Sequence, residues 1–344
     1  MFNALSHILS KFHNANASVA GLGILVFLAG CAGRYLFLCH QTRERPTFGG
    51  LFNFTFPLKR LITASTRIDL VFYVVNKLSH HLLIITNVAL AVLVSRLIGD
   101  ALRAHIGGGG LALSLPIIAL AYALAFLPRD LMHYVVHYLH HKVPALWEFH
   151  KVHHAATYLT PLTTERTHPV EDQIFAVAEG LAMGAALGLL RWRYAFSDSD
   201  ILVIIPTAIW SARMLLLTPL QHSHVPLHFG VLDPVFYSPS LHQVHHSCEL
   251  HHRDRNFGEC LSAWDSLFGT YHRMGQDTVT LGLPKDEPLR FTSLFACCLR
   301  PFGSAFFAIF GTSTRRTSAQ STEDTAPSPQ PERSMNLGST SGQS

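Results

Sequence analysis

The sequence of 344 residues is 49% hydrophobic and only 14% charged, far below the roughly 25% of charged residues that is usual in soluble domains. This deficit excludes an ordinary soluble domain and favours an all-α integral membrane protein. The formal net charge is only +4 and the Lys and Arg residues are dispersed, so nucleic-acid binding is not expected.

Residues 1–67 are predicted to form an N-terminal membrane anchor and a basic loop. Residues 20–39 are mostly apolar, and about 20 such residues suffice to cross the hydrocarbon core of a bilayer. The loop that follows carries five cations: Arg43, Arg45, Lys59, Arg60 and Arg67. Because Lys and Arg concentrate in cytoplasmic loops, this loop is predicted to be cytoplasmic and the N-terminus to lie outside.

Residues 68–310 are predicted to form a membrane-embedded domain. Further apolar runs occupy residues 82–98, 111–127, 174–190 and 201–217, which gives about four to five transmembrane helices. The run 291–310 is interrupted by Arg300 and Pro301, so an interfacial or packed segment is expected there. The polar segments 128–173 and 219–275 then form a helical cap on the cytosolic face. Residues 311–344 are rich in Ser, Thr, Pro and Gln and are predicted to be a disordered tail.

The two polar segments contain histidines at helical spacing. One HxxxH pair and two HxxHH triples occur: His137 and His141; His150, His153 and His154; His242, His245 and His246. Residues three and four apart share a helix face, so the imidazoles of each cluster project together. Imidazole suits iron, zinc and copper, and eight such nitrogens exceed the roughly four that one zinc ion takes. Two metal ions sharing the set are therefore predicted.

Other residues are weaker candidates. His222, just after an apolar run, is a possible further ligand. A second set could accept the distal N–H of a ligand histidine or, for His168, add a ligand: His168, Asp130, Glu165, Glu171, Asp172 and Asp254. A solvated carboxylate or a helix cap explains each of these equally well. The histidines His133, His140, His251 and His252 are expected to be structural or solvated.

A nearly continuous series of motifs resembles one known family. It comprises Asp130, HYLHH (137–141), VPALWEFHKVHH (143–154), ERTHPVED (165–172), LQHSHV (220–225), SPSLHQVHH (238–246), DRNFG (254–258) and WDSLFGTY (264–271). Over roughly residues 110–275 the chain resembles the sterol desaturase / fatty acid hydroxylase superfamily of membrane di-iron enzymes. Tyr138 stands where Arg often follows the first box histidine, which leaves the subfamily open.

The resemblance implies an oxygen-dependent enzyme with a di-iron centre on the cytosolic side of the membrane. Two Fe ions would activate O₂ and hydroxylate or desaturate a C–H bond of a lipid of fatty acyl, sterol or ether-lipid type. The implied ligands are His137, His141, His150, His153, His154, His242, His245 and His246, with His222 as a ninth. The chain carries no nicotinamide or flavin fingerprint, so electrons are expected from a separate electron-transfer protein. The membrane would be a bacterial inner membrane or the endoplasmic reticulum.

Two other classes of function remain open at this point. A metal transporter would place ionisable ligands near the bilayer midplane, whereas these boxes lie at the ends of apolar runs. A non-catalytic lipid-binding relative is the other alternative, and the intact histidine boxes argue against it.

Overall fold

The computed structural model describes residues 2–310, apart from residues 216–217, 274, 276–278, 285–286, 288–290 and 292. The predicted tail, residues 311–344, lies outside the described residues. The α-helices are α1 (Phe2–Thr42), α2 (Phe48–Thr55), α3 (Leu58–Leu61), α4 (Ala64–Ile106), α5 (Leu115–Lys142), α6 (Pro144–His154), α7 (Pro169–Arg193), α8 (Asp198–Leu215), α9 (Pro239–His245), α10 (Ala263–Phe268) and α11 (Leu294–Phe310). Short 3-10 helices cover Pro161–Glu165, Thr218–Leu220, Gly230–Leu232 and Leu250–His252. The described part of the chain has no β-strand beyond isolated bridges, which confirms the all-α prediction.

Three helical segments among the described residues are long and apolar enough to cross a membrane: Gly21–Thr42 in α1, the whole of α5 and the whole of α7. The chain is therefore an integral membrane protein, as predicted, whereas the number of four to five spans stays a prediction. Helix α5 differs from the expected apolar run, because it does not end at Leu127 but continues through Pro128 to Lys142. A proline removes only one backbone donor, and packed neighbours tolerate that loss. As a result, α5 itself carries the HxxxH pair beyond its apolar part.

Helix α7 packs closely against α4 along a stripe of glycines. A Cβ atom added at Gly180 would lie 2.5 Å from the carbonyl oxygen of Asn87, and one at Gly184 would lie 2.8 Å from that of Ala91. Small residues let the backbones of membrane helices approach in this way. The first turn of α7, which contains Glu171, is thereby held at a defined height beside the histidine-bearing helices.

Each HxxHH triple ends a short helix that begins at a proline. Pro144 opens α6 and Pro239 opens α9, each preceded by a residue in extended conformation, Val143 or Ser238. The residue before proline avoids the helical region, and proline suits the first helical position. The break between the first two boxes therefore lies between Lys142 and Pro144.

Helix α11 is amphipathic. Its buried side includes Cys297 and Ala305, while Phe295 and Phe307 are exposed. Phe302 packs edge to face against Phe149 of α6, with ring centroids 5.4 Å apart. The segment predicted to be interfacial or packed therefore covers α6 with one side and presents aromatic rings outward with another.

Candidate metal centre

Three helices and one turn bring the histidines of all the boxes together. Helix α5 contributes its C-terminal pair, α6 the first triple, the turn after Leu220 contributes His222, and α9 with its C-terminal cap the second triple. Eight of the nine imidazoles are buried and His141 is partly exposed. Buried imidazoles need polar partners, so their arrangement decides what the site can bind.

The nine side chains form two groups, in each of which the ring nitrogens lie within 4.8 Å of one another. The five-histidine group comprises His137, His141, His150, His154 and His245. The four-histidine group comprises His153, His222, His242 and His246. The groups adjoin, since the ring centroids of His154 and His246 are 4.6 Å apart.

Each triple is divided between the two groups. From α6, His150 and His154 belong to one group and His153 to the other. From α9 and its C-terminal cap, His242 and His246 belong to the four-histidine group and His245 to the five-histidine group. A helix turns about 100° per residue, so positions i and i+4 differ by about 40°, whereas i+3 and i+4 differ by about 100°. The HxxHH spacing therefore supplies both groups from one helix.

Hydrogen bonds on the outer side of the rings fix the orientation of the imidazoles. The Nδ1–H of His137 donates to the carbonyl oxygen of Phe257 at 2.9 Å, and that of His245 donates to the carbonyl oxygen of Arg255 at 2.8 Å. The Nδ1–H of His150 donates to a buried carboxylate, which is described below. Because a carbonyl can only accept, the proton must sit on Nδ1, and Nε2 is left with a free lone pair.

The Nε2 atoms face one another at short distances. In the four-histidine group, Nε2 of His222 lies 2.7 Å from that of His242 and 3.0 Å from that of His153. In the five-histidine group, Nε2 of His150 lies 3.1 Å from that of His137 and 3.0 Å from that of His154. Metal–nitrogen bonds of about 2.1 Å at angles of 90–109° separate two ligand nitrogens by about 3.0–3.4 Å. The spacing fits ligands arranged around an ion.

Burial keeps these imidazoles neutral. It lowers the pKa of His153 to about 3 and lowers the pKa values of His242 and His246 well below the ordinary one. Two neutral rings that both carry their proton on Nδ1 cannot hydrogen bond through Nε2, so their lone pairs repel at 3 Å. In addition, Nε2 of His141 and of His245 is buried without a hydrogen-bond partner among the described residues. A cation at the centre of each group resolves both features, and the donor set fits a transition metal.

Glu171, in the first turn of α7, contacts a candidate ligand directly. Its Oε1 accepts from Nδ1 of His150 at 2.6 Å, and both side chains are almost fully buried. A carboxylate in this position orients the ring and strengthens its nitrogen as a ligand. Asp254 is also near the site, with Oδ1 3.6 Å from Nδ1 of His141, and it forms an ion pair with Lys142.

The structure places the other candidate residues elsewhere. Asp130 accepts from the backbone N–H groups of Cys260 and Leu261 and from the indole of Trp264. Asp172 accepts from the hydroxyl of Thr167. His168 caps α7 by accepting from the N–H of Val170 at 3.2 Å, and its Nε2 donates to the carbonyl of Cys298. Glu165 lies 3.6 Å from the ammonium group of Lys77. These residues secure the elements around the centre.

Backbone carbonyls of the DRNFG loop were not among the sequence candidates. Asp254 and Asn256 both have φ of 58°, in the left-handed region, on either side of Arg255. This alternation turns the carbonyls of Arg255 and Phe257 towards two ring nitrogens. Asp and Asn adopt the left-handed conformation more readily than other residues with side chains. The D-x-N spacing was therefore the available signal.

Comparison with known proteins supports the family resemblance over the histidine-bearing part of the chain. Residues 122–270, which include all nine histidines, match the family model described as fatty acid hydroxylase. An ornithine lipid hydroxylase from Rhizobium tropici is 35% identical over 143 residues, which are 40% of this chain and 38% of that protein. These matches confirm the resemblance of this part of the chain to the sterol desaturase / fatty acid hydroxylase superfamily.

Relatives with lower identity also match. Alkylglycerol monooxygenase from Danio rerio is 28% identical over 43% of this chain and 30% of its own length. The human alkylglycerol monooxygenase is 25% identical over 45% of this chain and 31% of its own length. The chain thus spans about a third of the length of the curated relatives that it matches. No solved structure matched the chain.

Proposed function

We propose that this chain is a di-iron, O₂-dependent oxidoreductase that oxidises a C–H bond of a membrane lipid. The observation that carries the proposal is the pair of adjoining groups whose bare Nε2 atoms face a common centre. The relatives are named hydroxylase and monooxygenase, which favours hydroxylation over desaturation. Their names also favour a polar lipid or an ether lipid as the substrate class.

Iron is the metal that best joins the donor set to this reaction class. All-imidazole ligation is compatible with iron, zinc and copper, but oxidation of an unactivated C–H bond requires a redox-active centre. Iron held by the two groups would supply the chemistry that activates O₂, placing one oxygen atom in the lipid while two electrons and two protons reduce the other to water. Those electrons come, in this proposal, from a separate electron-transfer protein.

The side chains of this protein hold and shield the centre. The hydrogen bonds to Phe257, Arg255 and Glu171 keep three rings in place, so the ligand positions exist before a metal binds. Burial of the imidazoles keeps bulk water away from the reacting atoms. Because the centre lies at the end of α5, a helix able to span the bilayer, a lipid chain reaches it without leaving the membrane. The five cations of residues 40–67 favour the cytoplasmic face for this end of α5.

Metal analysis together with lipid analysis tests the proposal. The purified full chain should contain about two iron ions, one per histidine group, and membranes that contain it should accumulate an oxygenated lipid. His245→Ala should lower the iron content and abolish that product while the protein stays in the membrane. His105→Ala, an exposed histidine at the end of α4, is the matched control and should change neither. Full activity in the His245→Ala variant would refute the proposal.

A further inference from the structure

A cavity lies beside the segments that carry His222 and His242 of the four-histidine group. Its volume is about 570 Å³. Ser223 and Gln243 form part of its lining, and each follows a candidate ligand directly in the chain, His222 and His242 respectively. Both lining side chains are almost fully buried, and the Gln243 amide donates to the carbonyl of Ser223 at 2.9 Å. The inner wall of the cavity is therefore the backbone that carries two of the nine histidines.

The outer lining of the cavity is cationic. Lys59 and Arg60, both from α3 and both exposed, line it. The guanidinium of Arg60 lies over the ring of Tyr158, which also lines the cavity, at 5.7 Å from the ring centroid. Among the ion pairs formed by the described residues, neither cation pairs with a carboxylate. The lining thus offers two positive charges to an anion.

The residues around these cations place the cavity at the level of lipid headgroups. Leu58 and Ile62 flank the two cations and are 57% and 72% exposed, and Phe48 on the preceding helix is 85% exposed. Large apolar side chains alternating with Lys and Arg are typical of segments that lie in the membrane interface. Helix α2 is tied to the cavity, since His224, a lining residue, donates to the carbonyl of Phe54 at 2.7 Å.

We propose that this cavity binds the anionic headgroup, phosphate or carboxylate, of the membrane lipid on which the centre acts. The proposal rests on the function proposed above and adds a substrate class to it. A free anion would need only the two cations, whereas a lipid headgroup also uses the interfacial position of α2 and α3. A headgroup held against Ser223 and Gln243, each next in the chain to a candidate ligand, would bring the first part of the lipid towards the centre.

Equilibrium binding of two short lipids tests this site. The probes are dioctanoyl phosphatidic acid and dioctanoylglycerol, which share their acyl chains and differ in the phosphate. The full chain in detergent should bind the phosphate lipid more tightly. Lys59→Ala/Arg60→Ala should weaken that binding roughly 30-fold, the loss expected for two cations near an anionic headgroup, and leave dioctanoylglycerol binding unchanged.

The control is Arg45→Ala/Arg67→Ala, which removes two exposed charges from the same basic part of the sequence at residues that do not line the cavity. Equal losses in both double variants would assign the effect to overall surface charge and overturn the proposal, as would no loss in the first. Inorganic phosphate that displaces the lipid at equal concentration would show a free-anion site and overturn the lipid assignment. Binding is measured without turnover and does not require iron. A preference for the phosphate lipid in a chain that lacks iron and activity would therefore support the headgroup site even if the proposed oxidation failed.

Discussion

Removal of the Glu171 carboxylate should weaken metal binding while leaving the fold intact. The bond from Nδ1 of His150 to Oε1 is 2.6 Å long and almost fully buried, so water cannot replace it. Loss of such an outer partner typically lowers metal affinity 10–100-fold, or about 1.4–2.8 kcal/mol. In Glu171→Gln the amide oxygen can still accept, so about tenfold is expected. In Glu171→Ala the buried Nδ1–H loses its acceptor, and about 100-fold is expected.

The measurement is a titration of metal-stripped protein with Co²⁺ against a competing chelator. Asp172→Asn is the matched control, because Asp172 lies in the same turn of α7 but accepts from the hydroxyl of Thr167 at 2.9 Å. Both substitutions replace an acidic group at the same helix end, so a general electrostatic effect would appear in both. Unchanged affinity in Glu171→Ala, or an equal loss in the control, would show that the carboxylate does not support the centre.

Three further changes probe the division of the boxes and the packing of the helices. His153→Ala should lower the metal content from about two ions per chain to about one, because this ring belongs to the four-histidine group alone; a loss of both ions, measured by elemental analysis, would contradict the division. Gly180→Ala should lower the unfolding temperature through a clash worth about 1–3 kcal/mol, whereas Gly33→Ala, where nothing lies within 4 Å of the added carbon, should not. Asp69→Ala leaves the buried Arg166 cation without its partner, and chemical unfolding should show a loss of about 3–5 kcal/mol; a stability within 1 kcal/mol of the parent chain would refute that estimate.

Local sequence signals predicted the helices well where the chain's own chemistry determines them. Pro144 starts a helix because proline suits a first turn, and this outcome depends on no distant contact. The run Gly107–Gly110 forms a turn in which all four residues have positive φ. The apolar run ends at Leu127 because composition marks only where apolar residues stop, whereas the hydrogen bonding of α5 continues to Lys142.

The partition of the histidines could not be predicted from spacing. Spacing shows that His153 and His154 diverge around the helix, but their partners depend on how α6 and α9 cross, which long-range packing decides. Asp130 illustrates the converse. It precedes His137 by seven residues and shares its face, but at 1.5 Å per residue it lies about 10 Å away along the helix axis. The helical wheel suggests a neighbour, and the axial rise takes the carboxylate out of reach.

The division of each HxxHH triple between the two histidine groups has a consequence for the order in which the protein can bind metal during synthesis. Four members of the five-histidine group lie between residues 137 and 154, whereas the four-histidine group has only His153 there. The second triple begins 88 positions after the first one ends (242 − 154). At roughly 5–20 residues per second, that distance is about 4–18 s of translation. The growing chain therefore holds four of the five histidines of one group well before most of the other group exists, so an ion bound by the four-histidine group is expected to be captured last.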